Sequence, residues 1–236
     1  MLKIAGVTKK YGKLVANNDI SFTVENGQIA ILMGPNGAGK STIIKCITGL
    51  LRHKGVIEIN GFLNTSENAK RLLGYIPEMP AVYDLLTVSE HLEFIRRAYK
   101  IEDEEYTQAL LERMELWDKR DKLGKELSKG MQQKLSICCA LAHKPSVVIF
   151  DEPLVGLDPH AIKELKLIFR ELKERGASVL ISTHMIDSVE DYWDVANIMV
   201  DGQFAATKYN NSDDSQNLED LFFAITEDAK KQKEEV

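Results

Sequence analysis

The stretch GPNGAGKST, Gly34 to Thr42, sets three glycines, a lysine and two hydroxyl side chains directly after the apolar run IAILM. The spacing fits G-x-x-x-x-G-K-[ST], which requires a strand before it and a helix after it. Gly34, Gly37 and Gly39 let the backbone curl with its N–H groups inward, with Pro35, Asn36 and Ala38 completing a nest for anionic oxygens at a helix N-terminus. Lys40 has the reach to contact β- and γ-phosphates. The Ser41 hydroxyl is suited to ligate Mg²⁺, and Thr42 closes the phosphate-binding stretch. Without its strand and helix the segment would read as a glycine-rich turn with a chance lysine.

A second group lies in VVIFDEP, where an apolar strand ends in Asp151 and Glu152. Ligands of parallel sheets bind at the carboxyl ends of strands, so both carboxylates are placed for chemistry. Asp151 is expected to orient Mg²⁺ and its waters. Glu152 is expected to polarise an attacking water as general base. A third strand, SVLIST, ends in His184, which in that place can hydrogen-bond a γ-phosphate or position water. Alone, "DE" would read as a solvated loop end and His184 as a surface histidine.

A third group opens a helix. In LSKGMQQKL, Ser128 and Gly130 fall where unpaired N–H groups and a positive dipole end face outward. An isolated serine there reads as an ordinary N-cap. Beside a complete phosphate loop, it reads as a second anion site that meets the phosphate bound by another copy, so that nucleotide is sandwiched between two subunits.

The elements that position these groups follow from periodicity. LKIAGVT and DISFTV have strand character, with a turn at ENGQ, and IAILMG is a continuous apolar run of the kind buried within a sheet. STIIKCITGLL has helical spacing, and GVIEIN and LLGYIP return to strands. From Pro77 to about Pro145 the pattern is helical: TVSEHLEFIRRAY, with a Thr87–Glu90 capping pattern, then EEYTQALLERMEL, then KGMQQKLSICCALAH. SVVIFD, HAIKELKLIFRELKERG, ASVLIST and VANIMVDGQFAA then resume the alternation. The expectation is a parallel α/β sheet interrupted by a helical insertion. The division expected is 1–77 with 146–209 as core, 78–145 as helical insertion, and 210–236 as an acidic helical tail. That tail carries one apolar face, Leu218, Leu221, Phe222 and Ile225, which is expected to dock on its own domain.

The chain has 236 residues, 44% of them hydrophobic, and a net charge of −6. It can bury a core, and the charge argues against a broad nucleic-acid surface. Cys46, Cys138 and Cys139 lack metal-ligand spacing and read as reduced thiols of a cytosolic protein. No run approaches the roughly 18 apolar residues of a membrane span, so work at a membrane requires another chain to supply the spanning part.

Over almost its whole length the chain resembles the ATP-binding subunit of ATP-binding cassette (ABC) transporters. GPNGAGKST is similar to that family's Walker A motif, VVIFDEP to Walker B with its catalytic glutamate, and LSKGMQQ to the signature segment LSGGQ. GLDP, Gly156 to Pro159, resembles the D-loop, which places Asp158 at the nucleotide. His184 resembles the switch histidine, and Tyr11 stands where the family stacks an aromatic ring on adenine. The resemblance implies a P-loop, RecA-like parallel core with an N-terminal antiparallel β-subdomain and an inserted helical subdomain. It also implies ATP and Mg²⁺, a second ATPase subunit, an integral membrane permease, and a place on the inner face of the cell membrane. Two departures stand out. Glu78 occupies the position of the family's usual Gln at the strand-to-insertion junction, where a carboxylate can still ligate Mg²⁺. Lys129 and Met131 alter the signature, while Ser128 and Gly130 are retained. Both variants resemble the bacterial exporter-type branch. A soluble cassette acting on nucleic acid or ribosomes, a metabolite kinase and a non-hydrolysing regulatory subunit are the competing readings. The transported substrate and the choice of homodimer or heterodimer are not written in the chain.

Overall fold

The computed structural model describes residues 1–189, 192–210 and 217–234. Among these described residues ten strands and seven α-helices follow one another: β1 Leu2–Tyr11, β2 Leu14–Val24, β3 Ile29–Met33, α1 Lys40–Ile47, β4 Lys54–Ile59, β5 Phe62–Leu63, α2 Glu67–Leu72, β6 Leu73–Ile76, α3 Val88–Tyr99, α4 Glu104–Arg113, α5 Lys129–Leu141, β7 Val147–Asp151, α6 Pro159–Glu174, β8 Ser178–Thr183, β9 Val195–Val200, β10 Gln203–Tyr209 and α7 Leu218–Glu234.

The strands form two sheets. A four-stranded antiparallel sheet runs β2-β1-β4-β5, and a six-stranded sheet runs β10-β9-β3-β8-β7-β6. Within the larger sheet every neighbouring pair is parallel except β9–β10. VANIMVDGQFAA is therefore not one element. It folds back at Asp201 and Gly202, both at positive φ, so that β10 closes one edge as an antiparallel strand.

The apolar run of β3 is explained by two covered faces. Ile29, Ile31 and Met33 belong to one core cluster and Ala30 and Leu32 to the other, the period-two alternation of a strand buried on both sides. On the second side lie α1, through Ile43, Ile44 and Ile47, and the antiparallel sheet, through Leu2, Ile4 and Ile20. On the first side, α6 packs Leu165, Ile168, Phe169 and Leu172, and Phe169 meets Phe150 edge to face at 4.8 Å between centroids.

Helices α3, α4 and α5 stand together between β6 and β7. The capping pattern is realised as a full box: Glu90 N donates to Thr87 Oγ1 at 3.1 Å and Thr87 N to the Glu90 carboxylate at 2.7 Å. Arg113 on α4 reaches across to Glu171 (2.8 Å) and Glu164 (3.4 Å) on α6. Helix α2 was not legible in the sequence. Capped by Ser66 and burying only Ala69, ENAKRL carries no apolar stripe to announce a helix. The apolar face of α7 docks on its own chain, with Leu218 and Phe222 buried and Leu221 and Ile225 packed beside them. Residues 211–216 and 235–236 of the acidic tail lie outside the described residues. Cys46 and Cys138 are buried and Cys139 half-buried, all unpaired.

Candidate nucleotide site

The phosphate loop leaves β3 at Met33 and enters α1 at Lys40. Gly39 is the helix N-cap, at φ +101°, and no side chain caps its turn. The first N–H groups of α1 are thus left for an anion, with the positive end of the helix dipole behind them. A Cβ on Gly39 would lie 2.6 Å from the Ala16 carbonyl oxygen and from Asn17 Nδ2, so the loop is seated against β2. Buried Asn17 donates from Nδ2 to the Gly39 carbonyl at 3.1 Å. Gly202 N donates to Ala38 O at 3.0 Å, and Gly202 O accepts from Asn18 N at 2.9 Å, which ties the loop to the β9–β10 turn.

Lys40 is buried, and its ammonium donates to the Gly34 carbonyl at 2.7 Å. Burial pulls its pKa below the ordinary lysine value, opposed by the negative charges of Glu152, Asp151 and Glu78. Asp151 ends β7, buried, and accepts the Ser182 hydroxyl at 2.5 Å. Burial raises its pKa. The hydrogen bond from Ser182 opposes that rise, and the charges of Glu78 and Glu152 add to it. Tyr75, beside this group, is pushed up to about 12 by burial and then by Asp151 and Glu78.

Glu152 adopts φ +49°, the left-handed region that a non-glycine residue occupies at a cost of about 1–3 kcal/mol. Its N–H is held by both Ser182 O and Ser182 Oγ at 3.1 Å, which fixes the turn. The buried carboxylate meets His184 Nδ1 at 2.9 Å and His184 N at 3.4 Å. These groups face a cleft of about 650 Å³ lined by Tyr11, Ala16, residues 36–42, Glu78, Glu152, His184 and Gly202. Tyr11 stands at its mouth, half exposed, with Lys9 Nζ 5.0 Å from the ring centroid. Gly34, Pro35 and Asp151 lie behind the lining. Among the described residues no three His, Cys, Asp or Glu side chains form a metal cluster.

Ser128, Gly130 and Asp158 do not line this cleft. Ser128 is exposed and caps α5, its Oγ accepting from Met131 N at 3.3 Å. Asp158 caps α6 through Ala161 N at 2.9 Å and pairs with Lys134 at 2.9 Å. The Ala161 N–H and then the Lys134 ammonium draw its pKa down to about 2. Sequence reasoning missed Ser182, Asn17 and Gly202. Ser182 had left a signal, a hydroxyl inside the apolar strand that leads to His184. Asn17 and Gly202 had left none.

Residues 17–155 match the ABC transporter family. The chain is also 40% identical over 212 residues to the ABC-type transporter ATP-binding protein EcsA of Bacillus subtilis (strain 168), covering 87% of this chain and 86% of that one. The chain belongs to the ABC transporter family. This cassette is 35% identical over 223 residues to the lantibiotic transport ATP-binding protein SrtF of Streptococcus pyogenes, covering 94% and 96% of the two chains. It superposes on a solved structure of the ATP-binding subunit of an ABC transporter with a TM-score of 0.90, at 35% identity over 96% of this chain and 99% of that one. A second solved cassette, dimeric and bound to ADP and phosphate after hydrolysis, matches with a TM-score of 0.79 at 25% identity, over 90% of this chain and all of that one. The protein is an ATP-binding subunit of an ABC transporter, with the P-loop α/β fold of that family.

Proposed function

We propose that this cassette hydrolyses ATP and that two cassettes close around two nucleotides. Each nucleotide is held by the phosphate loop of one copy and by Ser128 and Gly130 of the other. The observation that carries this reading is a separation. Lys40, Glu152 and His184 converge on one cleft, while the exposed start of α5 lies outside it. That exposed helix end is completed by a phosphate held on a neighbour.

In this reading Tyr11 receives the adenine, residues 34–42 wrap the phosphates and Lys40 compensates their charge. Glu152 takes the proton of an attacking water while His184 holds its carboxylate. Ser41, Asp151 and Glu78 offer only oxygen donors, a hard set that suits Mg²⁺, which usually completes its coordination with substrate phosphates and water. When bound, Mg²⁺ would neutralise charge on the phosphate oxygens. Asp151 suits that role because burial and two neighbouring carboxylates leave its charge only partly balanced by the Ser182 hydroxyl and the Lys40 ammonium.

Residues 1–77 and 146–209 act as the catalytic part, 78–145 as a helical part that moves against it, and 210–236 as a tail. Between the first two parts lies a cleft of about 530 Å³ lined by Leu50, Tyr75, Pro77, Val82, Ile95 and Tyr99. Its apolar walls and its place beside Glu78 suit a helix of a membrane permease, which holds the cassette at the cytoplasmic face. Export is the direction proposed, because Glu78 and the signature variants Lys129 and Met131 resemble the exporter-type branch. The test is Glu152→Gln. ATP binding and ATP-driven dimerisation are retained while turnover falls about 10²-fold or more. Full turnover would remove Glu152 from its role, and Ser128→Arg with normal turnover and pairing would remove the shared site.

A further inference from the structure

Lys134 lies on α5 below the exposed turn formed by Ser128 and Gly130, and it is buried, its side chain only 8% exposed. A lysine ammonium out of water demands partners. It has two, from different elements: Asp158 Oδ2 at 2.9 Å and Glu115 Oε2 at 3.2 Å. Asp158 begins α6, immediately after the loop that leaves Glu152. Glu115 sits in the connection after α4 at φ +57°, left-handed for a non-glycine residue. His160 Nδ1 stands 3.7 Å from the other oxygen of Glu115. The same two segments also touch through backbone, since a Cβ on Gly130 would lie 2.9 Å from the Gly156 carbonyl oxygen.

We infer that Lys134 is a positioning residue that locks the start of α5 to the loop 153–158, so that one copy presents both segments to its neighbour as a single rigid edge. The inference rests on the shared-site reading above. Both ionic partners of Lys134, the N-cap of α6 and a loop carboxylate, lie outside the lining of its own nucleotide cleft. Its removal therefore acts on what this chain offers a second copy and leaves what it binds itself. The low pKa of Asp158 agrees with a carboxylate held ionised first by the Ala161 N–H of the helix it caps and then by the ammonium. Because Glu115 and Asp158 are about half exposed, the clamp is weaker than a fully buried pair.

The test is Lys134→Met, which keeps the stem and removes the charge, made in the wild-type chain and beside Glu152→Gln. In the monomer, affinity for a fluorescent ATP analogue is unchanged. ATP-driven dimerisation of the Glu152→Gln form weakens about tenfold, near 1.4 kcal/mol. Turnover falls through kcat with KM unmoved, and Lys134→Arg restores both. Equal dimerisation with and without Lys134→Met would overturn the inference. So would a parallel loss of ATP affinity and thermal stability, which marks a residue needed only for folding. Were Lys134→Met not to fold, Glu115→Gln removes half of the clamp from a more exposed position. It is expected to weaken dimerisation in the same direction, and no change there would also overturn the inference. If Glu152→Gln alone fails to dimerise with ATP, the shared-site reading fails instead, and the two failures are distinct.

Discussion

Glu152 and His184 meet across the carboxyl ends of neighbouring parallel strands, with His184 Nδ1 2.9 Å from the Glu152 carboxylate. Against an ionised carboxylate, Nδ1 is the ring nitrogen that carries hydrogen, which leaves Nε2 for substrate. His184→Ala is therefore expected to lower kcat about 10–100-fold while ATP affinity stays within about threefold. Combined with Glu152→Gln it should add little, because the two act as one unit. Steady-state turnover and equilibrium nucleotide binding check both statements, and full additivity would separate the residues.

Gly202 is a backbone support of the phosphate loop. It lies at φ +77°, and a Cβ there would come 2.5 Å from the Ala16 carbonyl oxygen. Gly202→Ala should destabilise the fold by about 1–3 kcal/mol and weaken ATP binding, since its N–H holds Ala38. Gly61→Ala is the control. Gly61 also has positive φ but open space around it, so a stability loss without an affinity loss is expected there. Denaturant melts and nucleotide titrations provide the comparison.

Glu78 adds a third negative charge near Asp151 and Lys40. Glu78→Gln keeps the shape and removes the charge. If Glu78 is the Mg²⁺ ligand proposed above, the Mg²⁺ concentration for half-maximal turnover should rise by about 3–10-fold, for a charge contribution of about 1 kcal/mol. A lower Mg²⁺ requirement would mean that Glu78 mainly repels the phosphates.

His143 should make stability depend on pH. Its ring stacks on Tyr99 at 4.1 Å, and burial drives its pKa from 6.5 to about 4, opposed only by the Leu73 carbonyl. Between those values the unfolded chain binds the proton and the folded one does not. Stability from this group is full above pH 6.5, falls as pH drops toward 4, and is level below that. The loss is roughly 3–4 kcal/mol. His143→Phe keeps a ring beside Tyr99, and unfolding free energies of the two proteins from pH 4 to pH 7 should lose their difference in slope if His143 is not the source.

Much of this molecule is legible because its signals are local. The strand, loop and helix around Gly34–Thr42 need only nine neighbouring residues, a few glycines and a lysine. The Thr87–Glu90 cap forms within one turn, and the alternation of Ile29, Ala30, Ile31 and Leu32 declares a strand covered on two faces. Helix α2 escaped because one buried alanine makes no periodicity. The hairpin at Asp201–Gly202 was passed over because apolar residues on either side of a tight turn read as one run.

By itself, then, the sequence determined which residue types stand at strand ends and helix starts, because backbone sterics and side-chain period act over a few residues. Only the tertiary structure decided that β7 lies beside β8, bringing Glu152 to His184, that Gly202 and Asn17 brace the phosphate loop, and that Lys134 clamps Asp158. Strand order and helix packing set those contacts, and they minimise the free energy of the whole chain rather than of any segment within it.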